Sequence, residues 1–406
     1  MRQIFAVIIG FAFIPIFTKR KLPIAYSIIG SAFIMILVSG LGLNSILEIF
    51  SSTLLDPNKI AQYLTVVEIG ALGVLLKKYG FIELIIDKLN KVVSNKKLQL
   101  MFVPALIGLL TVPGGAIISA PFIDRIGEDL NVEKSKRAVI NLVYRHISMH
   151  IMPYANGLLL VALLLPQVNV YNVIGLNFIF VFLYVTIGYF TYIKDIKYEK
   201  TEIVKGNKGD NILQLAIYTS PIYFAVILNI VFKVPFFIGV LGNILLVYLL
   251  RPRKSIIKDF IKGINLNVFL TIMGVYLIQG TIGNFPEFNK MLESLLSNPN
   301  TLIASMIGIS AIFGLATGFQ PAALGVIIPV IGSMAISLSR MTVLAHIAFV
   351  WSFVGYFFSP LHLCQLFTVE YMKVKNSQVY KTYLRFIVIL VIALLIENLV
   401  LLSFVK

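Results

Sequence analysis

Long apolar runs, separated by short clusters of basic residues, make up most of the chain. A hydrocarbon layer of about 30 Å is crossed by roughly 20 helical residues. Ten runs have about this length, so the pattern predicts about ten transmembrane helices and an all-α integral membrane fold. Their ranges are 1–18, 22–40, 60–76, 138–165, 171–193, 212–232, 234–250, 266–282, 341–368 and 383–403.

Two further apolar stretches, 98–123 and 300–339, contain Pro and Gly at their centres. Proline removes a backbone donor and glycine favours non-helical backbone, so neither stretch continues as one helix. Non-helical backbone is tolerated at membrane depth only where protein or a water-filled cavity surrounds it. The pattern therefore predicts two re-entrant hairpins, each returning to the side it came from. The second stretch is also just long enough for two thin crossings, which stays an alternative.

The hairpin tips are candidate sites for substrate or ion, because their backbone groups lack helical partners. Prolines also interrupt the spans 138–165 and 341–368, freeing carbonyl groups in mid-membrane. A simple packing kink is the alternative interpretation of each proline. The candidate binding residues are Thr111, Pro113, Gly114 and Gly115 in the first tip, Pro153 and Asn156 in the first interrupted span, Thr317, Gly318 and Gln320 in the second tip, and Ser359, Pro360 and His362 in the second interrupted span.

The two halves of the sequence share an order of elements. The first hairpin tip is opened by Gly108-Leu109-Leu110-Thr111 and the second by Gly314-Leu315-Ala316-Thr317. A proline follows within a span in each half. Each half, 1–193 and 212–406, holds five crossings around one hairpin, with 194–211 as a cytoplasmic linker. An odd number of crossings inverts the second half relative to the first. This organisation predicts inverted repeats, which are typical of secondary transporters; chance similarity between apolar segments is the alternative.

Composition agrees with a membrane protein: the chain is 58% hydrophobic and 13% charged, against roughly 25% charged in soluble proteins. The single cysteine, Cys364, excludes an intrachain disulfide and a multi-cysteine metal site. The net charge of +16 suggests a nucleic-acid partner at first, but the basic residues lie between apolar runs. We therefore predict a lipid bilayer as the surroundings and no nucleic-acid partner.

The distribution of lysine and arginine predicts the orientation. With both broken stretches treated as hairpins, 27 of the 34 basic residues fall in one set of loops. Cytoplasmic loops carry such an excess. This distribution places 194–211 and 251–265 in the cytoplasm and both termini outside. The protein is thus predicted to lie in the cytoplasmic membrane of the cell.

Ionisable groups inside the spans are candidates for charge or coupling roles, because burying them is costly. These candidates are Glu68, Arg145, His146 and His150. Glu68 and Arg145 are either a structural ion pair, or separate groups for a coupling proton and an anionic substrate. The two histidines, four residues apart, share a helix face, but Ile147 stands where the zinc-protease motif requires glutamate. No metal site is predicted there; a polar pair facing a cavity is favoured, with proton relay as the alternative. Glu397, near the end of the last span, is expected to reach the outer interface.

Several motifs resemble a known family. They are Thr111-Val112-Pro113-Gly114-Gly115, Tyr144-Arg145-His146, Gly314-Leu315-Ala316-Thr317-Gly318 and Ser359-Pro360-Leu361-His362-Leu363-Cys364. The chain resembles the prokaryotic domain-of-unknown-function family 401 over nearly its whole length. That family is similar to the ion-transporter superfamily, with its divalent-anion/sodium symporters, arsenite permeases and gluconate permeases. The resemblance implies a scaffold domain, a transport domain with an elevator-type motion, and a homodimer. The Ser-Asn-Thr signature of the dicarboxylate symporters is missing from both tips, so their substrate does not transfer.

The function predicted first is secondary active transport of a small anionic metabolite coupled to Na⁺ or H⁺, with no cofactor beyond a possible bound Na⁺. A cation/proton antiporter that uses Glu68 and the histidines is the alternative. An intramembrane enzyme is disfavoured, because no nucleophile–base pair or complete metal motif occurs at membrane depth. The sequence has no Gly-rich Lys-Ser/Thr loop, which excludes a nucleotide-driven pump.

Overall fold

The computed structural model describes residues 2–20, 22–109, 116–197, 208–297 and 301–405. Over these ranges the regular elements are helices, and no strand occurs in them. The helices are α1 Arg2–Lys19, α2 Ile24–Ser39, α3 Leu43–Leu54, α4 Pro57–Lys78, α5 Phe81–Val92, α6 Lys96–Gly108, α7 Ala116–Asp129, α8 Lys134–Arg145, α9 Ser148–Ile151, α10 Asn156–Leu164, α11 Val170–Gly188, α12 Lys208–Phe232, α13 Phe236–Leu250, α14 Ile256–Gly263, α15 Leu266–Gly283, α16 Pro286–Ser297, α17 Leu302–Thr317, α18 Gln320–Ser333, α19 Leu338–Phe357, α20 Leu363–Met372 and α21 Asn376–Ser403.

Seven helical segments in the described part of the chain are long and apolar enough to cross a membrane. They are α4, the run from α8 to α10, α11 with its π-helical continuation Tyr189–Ile193, α12, α15, α19 and α21. The other three predicted spans, α1, α2 and α13, are shorter apolar helices. Large apolar side chains such as Leu37, Phe182 and Leu399 are exposed, as expected for surfaces that face lipid. The prediction of an all-helical, multi-pass membrane protein is confirmed.

Each broken stretch forms two helices. The first gives α6 and α7, and the tip 110–115 between them lies outside the described residues, together with Thr111, Pro113, Gly114 and Gly115. The second gives α17 and α18, joined by a turn at Gly318, whose φ of +60° lies in the left-handed region that favours glycine.

The hairpins pack in two ways. The entering helix of each lies against the interrupted span of its own half, α6 on α8 and α17 on α19. The returning helix lies against the helix that follows the break in the other half, α7 on α20 and α18 on α10. The segments around both breaks therefore meet between the two halves of the sequence.

Two boundaries differ from the predicted ones. The span 138–165 is interrupted, as predicted, but the interruption begins before Pro153: α8 ends at Arg145, and a short α9 and an extended segment separate it from α10. Helix α12 begins at Lys208, inside the predicted linker 194–211, and residues 198–207 of that linker lie outside the described part.

Candidate functional site

The end of α8 touches the first hairpin through backbone. A methyl group on Gly108 would overlap the carbonyl oxygen of Arg145, so the two helices are in direct contact at this point. The Ser148 hydroxyl donates to the carbonyl oxygen of Gly108 at 2.6 Å. The contact holds the end of α8 against the residue that leads into the first tip.

The second half makes a similar contact. A methyl group on Gly314 would overlap the carbonyl oxygen of Ser352, and one on Gly355 would overlap that of Ala311. Small residues allow helices in membranes to approach at this distance. Gly314 stands 206 residues after Gly108, and Ser352 stands 207 residues after Arg145, so both halves place the same contact at matched positions.

Arg145 is the last residue of α8 and is 5% exposed. The negative end of the helix dipole favours a cation there. Its guanidinium interacts electrostatically with Cys364 and Tyr356, both from the second half. Among the described residues its Nε has no hydrogen-bond partner and no carboxylate pairs with it. A buried guanidinium with an unpartnered Nε is suited to bind an anion.

Glu68 does not pair with Arg145. It lies on α4, is 8% exposed, and its Oε2 has no hydrogen-bond partner among the described residues. The structural ion pair between these two residues is therefore absent from the described part of the chain.

His146 meets His362 across the two halves, with 3.1 Å between their Nε2 atoms. Each Nδ1 faces a carbonyl oxygen, that of Leu142 at 2.6 Å for His146 and that of Phe357 at 3.0 Å for His362. The expected pairing of His146 with His150 does not form, because α8 ends between them. This histidine contact joins residues 216 positions apart, so spacing gave no signal for it.

His150 sits instead among aromatic rings. The rings of Phe180, Phe349 and Phe353 surround its imidazole, and both ring nitrogens lack hydrogen-bond partners among the described residues. Pro153 is buried in the break that follows, and Asn156 begins α10.

The second tip contacts the breaks in both interrupted spans. The first break lies between α8 and α10, and the second lies between α19 and α20. A methyl group on Gly318 would overlap Leu361 in the second break. Gln320, 1% exposed, donates from Nε2 to the carbonyl oxygen of Phe349 at 2.9 Å. Its Oε1 has no donor among the described residues and lies near Gly157, one residue into α10. Thr317 is buried, and its hydroxyl bonds the carbonyl oxygen of Phe313.

The second break is fixed by its own hydroxyl. Ser359 donates to the carbonyl oxygen of Leu315 at 2.6 Å and accepts from the backbone of Leu361 at 3.2 Å. These bonds replace helical partners that the break removes. Pro360 is exposed at the surface of the described chain, while His362 is fully buried.

His346 was not predicted as a site residue, and Glu397 lies in a different environment from the one predicted. His346 is fully buried on α19, and its Nε2 lies 3.4 Å from Oε1 of Glu397 on α21. Glu397 is 6% exposed and does not reach the interface, because it lies on the face of α21 that packs against α19. The signal for His346 was available, since an ionisable residue inside an apolar span is itself a candidate.

Asn177 orients the His346 ring. The Asn177 side-chain amide donates to the carbonyl oxygen of His150 at 3.0 Å, so its oxygen accepts from Nδ1 of His346 at 2.8 Å. Nε2 of His346 thereby faces the Glu397 carboxyl group.

The fold and these side chains define a multi-pass α-helical membrane protein in which interrupted helices of both halves surround buried polar groups. The chain belongs to the family described as Protein of unknown function (DUF401), which matches residues 2–404. No curated protein matches the chain.

Proposed function

We propose that this protein is a secondary active transporter of a small anionic metabolite, coupled to Na⁺ or H⁺. The observation that carries the proposal is the buried Arg145 guanidinium at the end of an interrupted helix, without a carboxylate partner among the described residues. Retaining an unpaired cation at membrane depth is costly, and an anionic cargo offsets that cost.

The proposal includes an inverted-repeat architecture. The matched contacts of Gly108 and Gly314, and the crosswise packing of α7 on α20 and α18 on α10, support it. Transporters with such repeats bind their cargo near the midplane between the halves, where Arg145 and the second tip lie in this proposal. The resemblance to the ion-transporter superfamily adds an elevator-type motion and a homodimer. The distribution of lysine and arginine adds an orientation with both termini outside.

Two places are candidates for the coupling ion. The second tip offers hydroxyl and carbonyl oxygens around Thr317, which suit a weakly bound Na⁺. The buried His346–Glu397 pair offers two protonatable groups in contact, and chains of such groups are typical of proton-coupled transport.

A cation/proton antiporter is the second candidate function. Glu68 is buried with an unpartnered oxygen in the described part of the chain, and the His346–Glu397 pair adds a second protonatable site. An antiporter moves protons against a cation and needs no organic anion, which separates it from the first candidate.

Uptake by proteoliposomes tests the first candidate. Vesicles that contain the purified protein are incubated with an isotope-labelled pool of carboxylates and organic phosphates, and their contents are identified by mass spectrometry. We expect accumulation of one anion class above empty vesicles, and a further increase under an inward Na⁺ or H⁺ gradient without nucleotide. Cation-driven proton release from the vesicles without uptake of any anion would instead establish the antiporter.

A further inference from the structure

The contact between His146 and His362 requires a proton or a cation between the two rings. Both imidazoles are fully or nearly fully buried, and each Nδ1 faces a carbonyl oxygen, which only accepts. The single hydrogen of each neutral ring is therefore on Nδ1. Both Nε2 atoms then carry lone pairs, and these face each other at 3.1 Å.

A third ligand atom lies beside them. The Sγ of Cys364 and the two imidazole nitrogens all lie within 4.8 Å of one another. Cys364 is in the first turn of α20, two residues after His362.

We propose that His146, His362 and Cys364 bind a zinc-like metal ion. Zinc binds imidazole nitrogen at about 2.0–2.1 Å, so two such nitrogens on a tetrahedral ion are about 3.3 Å apart. The observed 3.1 Å is close to that separation. The hydrogen bonds from Nδ1 to carbonyl oxygens are the outer contacts that metal-ligating histidines typically make.

Zinc binding would form three bonds to protein atoms and release one proton. Zn²⁺ accepts one lone pair from each Nε2 and one pair from sulfur, and the Cys364 thiol releases its proton to solvent. Three protein ligands leave the fourth tetrahedral position to water or an anion. Tyr356, whose hydroxyl lies 3.4 Å from Nε2 of His146, is beside the three ligand residues.

This proposal concerns binding and does not depend on transport, so it is tested in detergent with the metal alone. Purified protein is incubated with zinc, freed of excess metal, and its zinc content and affinity against a competing chelator are measured. We expect one zinc per chain and a rise in the thermal unfolding temperature. Cobalt in place of zinc should give a sulfur-to-cobalt charge-transfer band in the near ultraviolet, which reports the thiolate directly.

Variants assign the ligands. His362→Gln and Cys364→Ser should each weaken zinc binding by at least about tenfold, and Cys364→Ser should abolish the cobalt band. His362→Cys supplies another zinc ligand and should keep the metal. His150→Gln, four residues from His146 but outside the cluster, is the matched control and should bind zinc as the wild type does.

Two results would overturn the proposal. One is wild-type protein that is monodisperse yet binds no zinc, which would mean that a shared proton occupies the histidine contact. The other is zinc retained at full affinity by both His362→Gln and Cys364→Ser. Size-exclusion profiles of each variant separate loss of metal from loss of fold.

Discussion

The end of α8 and the middle of α19 make the same backbone contact but carry different side chains. In the first half Gly108 meets the carbonyl oxygen of Arg145, and in the second half Gly314 meets that of Ser352. A cation is thus present at one matched position and a small hydroxyl at the other. Close helix packing is shared by both halves, whereas the side chain at the matched position is not.

The next residue continues this difference. His146 follows Arg145 and reaches His362, whereas Phe353 follows Ser352 and packs against the ring of His150. The residue after the contact therefore meets a histidine of the other half in both cases, through a ring nitrogen in the first half and through an aromatic ring in the second. An exchange of this kind requires both halves to be folded together.

The largest expected effect comes from filling a shared backbone contact. Gly314→Ala places a methyl group on the carbonyl oxygen of Ser352, and the helices must separate. We expect a loss of about 3 kcal/mol or more, since overpacking against backbone cannot relax through a side chain. Gly308→Ala on the same helix is the matched control, because its added methyl meets nothing within 4 Å. Equal thermal unfolding of the two variants in detergent would refute the close contact.

The buried His346–Glu397 pair tests whether polar groups away from the two glycine contacts stabilise the fold. His346→Leu leaves Glu397 buried without its partner, and we expect a loss of about 3 kcal/mol. The double variant His346→Leu/Glu397→Leu should recover most of it, because no charge is then stranded. His150→Leu is the control, as its ring nitrogens have no partner among the described residues. Unfolding in detergent measures all three, and a double variant as unstable as the single one would contradict the pairing.

A smaller effect is expected at the second tip. Gln320→Ala removes the hydrogen bond to the carbonyl oxygen of Phe349, which is worth about 1 kcal/mol. If the tip binds cargo or ion, uptake should fall much more than stability. Gln167→Ala, at an exposed position, loses a similar bond to Gly332 and should leave uptake unchanged. Wild-type uptake by Gln320→Ala would remove this residue from the site.

The smallest effect lies outside both contacts, where α14 meets the end of α4. Lys78 donates to Asp259 at 2.7 Å and holds the pKa of that carboxyl below its ordinary value. The contribution to stability is complete above the unfolded pKa of about 3.9 and is lost as the pH falls through the folded pKa. Asp259→Asn should therefore reduce the fall in the free energy of unfolding at acid pH. The measurement is unfolding between pH 2 and pH 6, about two units on either side of the unfolded pKa. The same fall at acid pH in the variant and the wild type would contradict this.

Much of the fold follows from local pattern. Apolar length predicts the spans, and the all-helical membrane class is confirmed. Gly318 also indicates where regular helix stops, because its positive φ ends α17. Proline is a weaker signal, since α1, α6, α7, α12 and α18 each contain one. The end of α8 at Arg145 had no such signal, since no proline or glycine lies between Arg145 and His150.

The site is harder to predict because its contacts join distant segments. The meeting of His146 and His362 depends on how two interrupted helices pack, and no periodicity in either segment encodes it. Glu397 shows the same limit: its position near the end of a span suggests exposure, but the face on which α21 packs decides its burial. Local rules predict which groups are costly to bury, and tertiary packing decides which of them meet.

The central claim is that the charge at the end of α8 draws an anion between the two halves. Uptake of the anion identified in proteoliposomes, compared between Arg145→Met and Arg385→Met, tests it most directly. Arg385 is exposed on α21 and provides the matched loss of one arginine. We predict that Arg145→Met lowers uptake to a background level while the folded yield stays high, that Arg145→Lys keeps part of it with weaker affinity because the bidentate fork is lost, and that Arg385→Met transports normally. Full uptake by folded Arg145→Met protein would contradict the account.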